Sequence, residues 1–181
     1  YRVVNYFKNK SIKILDIGSG SGCILLSILK ELKISKGLGI DISPQAIVKS
    51  KENSRMLNLC NRAKFKVFDL NKFNLGKYDL IVSNPPYIPK KDIRNLSKDI
   101  LLHEPLIALN GGVDGLDLIK KVIYKSSYLL KCNGLLAIEI GNSQYFKVSC
   151  ILRSCGFRII GKEFDYKNNV RCIISTKIRF K

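Results

Sequence analysis

Metal-binding residues are scarce in this chain of 181 residues. Histidine occurs once, at His103, and none of the six cysteines (Cys23, Cys60, Cys132, Cys150, Cys155, Cys172) stands in a C-x-x-C pair. That excludes a zinc site of ordinary spacing, and no metal is expected. Most of the cysteines have apolar neighbours in the sequence. They read as reduced thiols filling small core positions, which implies a cytoplasmic compartment. No apolar run reaches the ~18 residues that a membrane helix needs. There is no signal-peptide pattern, internal repeat or low-complexity linker. Acidic residues are few, 14 against 32 basic, for a net charge of +18. Even so, no block of five basic residues occurs. Arginine, the bidentate reader of bases and phosphates, is the minority, since 24 of the 32 are lysine. The charge reads as a solvated basic surface, with a nucleic-acid partner as the runner-up.

What is present is an alternation of strands and helices. Hydrophobic content of 46% suits one globular domain with a core of its own. Short apolar runs predict strands over residues 12–17, 37–41, 65–68, 78–83 and 135–140. Apolar residues at helical spacing predict helices over 21–33, from Ser43-Pro44 onward, after a polar loop from 84 to about 115 and up to about 130, and over 144–154. Two closing strands, 157–162 and 171–175, are joined by a short loop and should be antiparallel. Such alternation predicts a mostly parallel α/β sheet covered on both faces.

Four strand ends carry the chemistry. After the first strand comes Asp16-Ile17-Gly18-Ser19-Gly20-Ser21-Gly22. Its glycines let the backbone turn tightly and approach a ligand. A dinucleotide fingerprint would need glycine where Cys23 stands. The G-x-G-x-G spacing suits a nucleoside with an amino-acid tail. Asp41 closes the second strand, where a carboxylate can accept ribose hydroxyls. Asp69 closes the third, within reach of an adenine amino group. After the fourth strand comes Asn84-Pro85-Pro86-Tyr87. An Asn oxygen and a main-chain carbonyl can accept from one planar –NH2 group, two prolines fix φ, and a Tyr face offers stacking. Together these make a clamp for an amino group on an sp2 carbon.

These segments, with Asp41-Ile42-Ser43-Pro44, Phe68-Asp69 and Ile81 to Ile88, resemble class I S-adenosylmethionine-dependent methyltransferases. Glu104-Pro105, Gly111-Gly112-Val113-Asp114-Gly115, Glu139-Ile140-Gly141, Gly156-Phe157 and the Asp165-Tyr166…Arg171 ending narrow the resemblance to the HemK/PrmC family. That family methylates a glutamine side-chain amide in peptide chain release factors. The resemblance implies a Rossmann-like, doubly wound, seven-stranded sheet, mostly parallel with the last strand antiparallel. It implies S-adenosylmethionine as cofactor, S-adenosylhomocysteine as product and a release factor as partner. The implied catalytic residues are Asn84, Pro85, Pro86 and Tyr87. The implied cofactor residues are Asp16, Gly18, Ser19, Gly20, Ser21, Gly22, Asp41, Ile42, Asp69, Leu70 and Asn84. Residues 1–10 carry neither the family's N-terminal helical domain nor its Pro-Arg segment. Residues 1–181 therefore read as one catalytic domain without that helical partner. His103 and Glu104 are weak candidates for a base. The alternatives are an amino-methyltransferase acting on adenine N6 or guanine N2, and a non-catalytic cofactor-binding remnant.

Overall fold

The computed structural model describes residues 2–97 and 105–178. The apolar run Lys13–Ile17 forms β1, buried at every position after Lys13. It is followed by β2 (Lys36–Asp41), β3 (Ala63–Val67), β4 (Tyr78–Ser83), β5 (Leu130–Glu139), β6 (Phe157–Phe164) and β7 (Val170–Lys177). Among the described residues these make one seven-stranded sheet in the order β3-β2-β1-β4-β5-β7-β6. β1 pairs in parallel with β2 and β4, β2 with β3, and β4 with β5. Only β7 runs against its neighbours, lying between β5 and β6. The expected topology, with an antiparallel last strand, is what the chain adopts.

Helices cover both faces because consecutive strand residues point to opposite sides. Ile14, Leu80 and Val82 face one cluster, packed under Leu25, Leu26 and Leu29 of helix α2 (Cys23–Glu31) and Ile47 of α3 (Pro44–Met56). Leu15, Ile81 and Leu136 face the other cluster. A one-turn helix, α4 (Leu106–Leu109), precedes α5 (Asp117–Leu129) and α6 (Tyr145–Ser154), and the last two cover this second face. Ser43 caps α3 as its sequence suggests, its Oγ accepting from the Ala46 N–H at 3.3 Å with Pro44 in the first turn.

Three expectations change. A short helix α1 (Arg2–Tyr6) stands where no element was expected, and Phe7 after it is buried. β5 begins at Leu130, five residues earlier than its apolar run. The cysteines are not core residues: Cys23, Cys60, Cys132 and Cys150 are exposed, and Cys155 and Cys172 are partly buried. The buried apolar residues near the four exposed cysteines in sequence point inward while those thiols lie on outer faces, and Cys155 and Cys172 pack at the margins of the core clusters. Burial pushes the Cys172 thiol up to about 12, so it is not a thiolate at neutral pH.

Candidate functional site

Strand register assembles the site. Ile17 of β1 pairs with Ile40 of β2 and with Ser83 of β4, while Asp41 pairs with Val67 of β3. Four strands thus end side by side, bringing Asp69 just past β3, Asp41 at the last position of β2, Gly18 after β1 and Asn84 after β4 to one edge. At ~4.8 Å between strands, these ends span roughly 14 Å. The Ser83 hydroxyl donates to the Ile17 carbonyl at 2.7 Å and locks the two central ends together. Chain order reverses here, between β1 and β4, which is where open α/β sheets form their ligand crevice.

The glycine loop folds back over β2. The N–H groups of Gly18 and Ser19 donate to the Ile40 carbonyl at 2.9 and 3.0 Å. The Gly20 N–H donates to Asp41 Oδ2 at 2.8 Å, and the Ser43 N–H donates to Asp41 Oδ1 at 2.9 Å. Asp41 is therefore a strut for the loop as well as a strand-end carboxylate. Gly22 has φ of 80°, and a Cβ there would meet the Phe65 ring at 2.8 Å, so only glycine fits. Ser21 is exposed, and its carbonyl accepts from Asn53 Nδ2 at 2.9 Å. Ile42 is exposed on the rim. Leu70 is half-buried against the core. Asp69 Oδ1 accepts from the Asn71 N–H and Nδ2 at 2.8 and 2.9 Å and caps a turn of 3-10 helix, Leu70–Lys72.

Asp16 differs from the other two carboxylates. It is buried beneath the loop, where Oδ2 accepts from the Leu25 N–H at 3.2 Å. Asp16 Oδ1 and the buried Ser19 Oγ have no hydrogen-bond partner among the described residues. Burial pushes the Asp16 carboxyl up to about 7, against the Leu25 N–H and helped by the Asp41 charge. A raised carboxyl holds its proton in the folded state at pH values where the unfolded chain, near 3.8, has lost it. Its stabilisation is complete below about pH 4 and is lost as pH rises through 7. Each tenfold change in proton affinity is worth about 1.4 kcal/mol, so the ceiling is a few kcal/mol. Asp16→Asn is expected to flatten this decline and to unfold later than the parent at pH 8. Denaturant melts of both proteins from pH 4 to 8 measure the difference. The low-lying carboxyls of Asp114 and Asp165 act equally in both. Parallel curves would remove the buried-acid account.

After β4, Asn84 is exposed, Pro85 is buried, and Pro86 and Tyr87 are half-buried. The segment is held from behind. Ile88 forms a bridge with Asn110, the Gly111 N–H donates to the Ile88 carbonyl at 2.9 Å, and the Lys90 N–H donates to the Gly112 carbonyl at 2.8 Å. Gly115 has φ of 74°, and a Cβ there would run into the Tyr87 carbonyl oxygen. The Gly-Gly-x-Asp-Gly stretch is thus the backing on which the clamp rests. Gln144 Nε2 donates to the carbonyls of Tyr87 and Gly115 at 2.9 and 3.2 Å, while its Oε1 accepts from the Gly141 N–H at 2.8 Å.

The Tyr87 side chain does more than offer a ring face. Arg171 Nη2 donates to its hydroxyl at 2.7 Å, and the hydroxyl donates to Glu139 Oε1 at 3.3 Å. Arg171 also lies 3.6 Å from Glu139 and 5.1 Å from the Tyr87 ring centroid. Burial raises the Tyr87 phenol, aided by the Glu139 charge and opposed by Arg171, so it stays protonated. Glu139, Gln144 and Arg171 were absent from the sequence-derived site. The segments containing Glu139 and Arg171 carried the family resemblance, but nothing local assigned them to Tyr87. His103 and Glu104 lie outside the described residues. Also among the described residues, no His/Cys/Asp/Glu cluster could hold a metal, and no helix is long and apolar enough to cross a membrane.

The profile of a protein family described as a methyltransferase domain matches residues 8–145. A protein named release factor glutamine methyltransferase from Rhodospirillum rubrum is 41% identical over 165 residues, covering 91% of this chain and 51% of that protein. One of the same name from Clostridium acetobutylicum is 40% identical over 179 residues, covering 97% of this chain and 63% of that protein. The chain thus spans about half to three-fifths of the length of these curated relatives. The solved structure of magnesium protoporphyrin IX methyltransferase from Synechocystis, with bound SAM, aligns with a TM-score of 0.67 at 17% identity. It covers 97% of this chain and 76% of that one, and the likeness is one of fold.

Proposed function

We propose, on the premise that this chain belongs to the methyltransferase domain family, that it transfers a methyl group from S-adenosylmethionine to the side-chain amide of a glutamine in a peptide chain release factor. The observation that carries the reading is the register of β1 with β4, which sets the Gly18–Gly22 loop beside Asn84. The names of the two relatives support the acceptor. In this reading residues 1–181 act as one catalytic domain. A cytoplasmic location goes with it, since release factors work there.

The residues present fit the cofactor. Asp16 Oδ1 and Ser19 Oγ are buried acceptors without partners among the described residues, which suits a ligand that brings its own donors. Gly18, Ser19, Gly20, Ser21 and Gly22 hold its amino-acid tail, Asp41 and Ile42 its ribose, and Asp69 and Leu70 its base. When bound, S-adenosylmethionine supplies an electrophilic methyl group and leaves as S-adenosylhomocysteine. The protein's own part is to hold a poor nucleophile, since the amide lone pair is delocalised. The Asn84 side-chain oxygen and the Pro85 carbonyl accept hydrogen bonds from the two amide N–H groups and draw electron density onto the nitrogen. The nitrogen gains the methyl carbon as the C–S bond of the donor breaks, and it gives up one N–H proton to water. Pro85 and Pro86 keep those acceptors still, and the Tyr87 ring stacks on the amide plane. The contribution is positioning and electrostatics.

Incubation with methyl-labelled cofactor and either a release factor or total RNA tests the acceptor. Label is expected in the release factor, at the glutamine of its Gly-Gly-Gln motif. Transfer should fall only mildly between 50 and 200 mM salt, since the lysine-rich surface has no part in the clamp. An enzyme neutralising 6–10 phosphates would lose about 10³–10⁵ in affinity over that range. Label in RNA with such a slope would replace this reading with the nucleic-acid one.

A further inference from the structure

Tyr87 is held by three side chains from three other elements, and each contact restricts a different freedom. Gln144, at the start of α6, fixes the Tyr87 carbonyl and hence the backbone of the clamp. Glu139, at the end of β5, accepts the phenol proton. Arg171, near the start of β7, donates to the phenol oxygen and lies over the ring. Arg171 and Glu139 come together because β7 runs antiparallel beside β5, with Glu139 opposite Cys172 and the Ile140 N–H donating to the Arg171 carbonyl at 2.9 Å. The Arg171 and Glu139 side chains are 30% and 34% exposed. An ion pair that open to water contributes little to folding. Its geometry is nonetheless specific: one guanidinium contacts the phenol oxygen, the ring and the carboxylate at once. One face of Tyr87 lies toward Arg171, and a stacking partner must use what remains.

We infer that Arg171, together with Glu139, is a positioning residue that sets the rotation of the Tyr87 ring and so fixes the plane in which the acceptor amide stacks. The inference rests on the acceptor reading above and extends it to the β6–β7 hairpin. Arg171 touches neither the methyl donor nor the amide; it acts through Tyr87. Stacking on Tyr87 is present in the ground state and persists in the transition state, so losing its alignment raises acceptor KM more than it lowers kcat.

The test uses Arg171→Met, Arg171→Lys and Glu139→Gln in the full chain. Each is assayed for acceptor KM and kcat with a Gly-Gly-Gln peptide and for cofactor Kd by calorimetry. A second readout is the ¹³Cζ resonance of Tyr87 in ¹³C-tyrosine-labelled protein, assigned by its loss in Tyr87→Phe. Arg171→Met is expected to lower acceptor kcat/KM by about 10–10²-fold, mostly through KM, with cofactor Kd unchanged. Arg171→Lys should rescue part of the loss, since one ammonium can reach the phenol but cannot also cover the ring. Glu139→Gln keeps an acceptor for the phenol proton, so its loss should be smaller. All three should move the Tyr87 ¹³Cζ resonance. Wild-type acceptor kinetics in Arg171→Met overturn the inference, as does a loss of cofactor affinity in proportion to the loss of turnover. Absence of transfer by the parent protein would overturn the acceptor reading. The resonance decides the positioning role even then, because an unmoved ¹³Cζ in Arg171→Met and Glu139→Gln means that no network holds the ring.

Discussion

Asn84→Ala is expected to turn over about 10²–10³ times more slowly than the parent while binding S-adenosylmethionine almost as well. The side chain follows β4 directly, beside the glycine loop through the Ile17–Ser83 pairing. It is exposed, so its loss opens no core cavity. The neighbours that hold the segment are Pro85, which is buried, and the Ile88–Asn110 bridge, and neither depends on Asn84. In the proposed clamp the substitution removes one acceptor that draws density onto the amide nitrogen, an effect that grows as the N–C bond forms. Such a loss lowers kcat and kcat/KM together and spares cofactor Kd. Single-turnover transfer to a Gly-Gly-Gln peptide, with calorimetry on the same sample, measures both. Near-normal turnover in a folded Asn84→Ala protein would end the amide-clamp mechanism.

The central strands of the site, β1 and β4, were legible because each is a short, largely apolar run that ends beside a glycine or an asparagine and is buried on both faces. The edge strand β3 alternates instead, burying Ala63 and Phe65 and exposing Lys64 and Lys66. The antiparallel β7 followed from the five-residue connection before it, too short for a crossover helix. The early start of β5 was hidden because Lys131-Cys132-Asn133-Gly134 reads as a turn. In the structure Asn133 has φ of 61°, and the pairing with β4 shifts register between Tyr78 and Leu80. The strand thus absorbs a bulge that breaks the alternation. The support of Tyr87 was hidden for a different reason. Arg171 lies 84 residues from Tyr87, and its approach depends on β7 entering between β5 and β6. Motif chemistry identifies side chains that meet a ligand. The side chains that orient them are placed by sheet order, which no local pattern records.

Asp41→Ala is expected to weaken S-adenosylhomocysteine binding by about 10²–10⁴-fold. A carboxylate that loses two charge-assisted hydrogen bonds forgoes about 1.5–3 kcal/mol for each. Two causes compete for that loss. In the proposed complex Asp41 accepts the ribose hydroxyls. In the protein itself Asp41 already accepts from the N–H groups of Gly20 and Ser43, at 2.8 and 2.9 Å. Alanine would therefore also free the loop at Gly20, whose φ is 53°. A carboxylate oxygen has room for a second donor, so the strut and the ribose contact are compatible. A ligand lacking the amino-acid tail separates them. Adenosine carries the ribose and the base but has nothing for the glycine loop to hold. If Asp41 binds the ribose, adenosine and S-adenosylhomocysteine should lose affinity by a similar factor. If Asp41 serves only the loop, adenosine binding should be spared while S-adenosylhomocysteine binding falls. Asp41→Glu keeps the charge on a longer stem and should recover part of the affinity for both ligands under the ribose assignment. Calorimetric titration of both ligands into the parent and the two variants decides the matter. Unchanged adenosine affinity in Asp41→Ala would sink the ribose contact and leave the carboxylate as a strut for the loop.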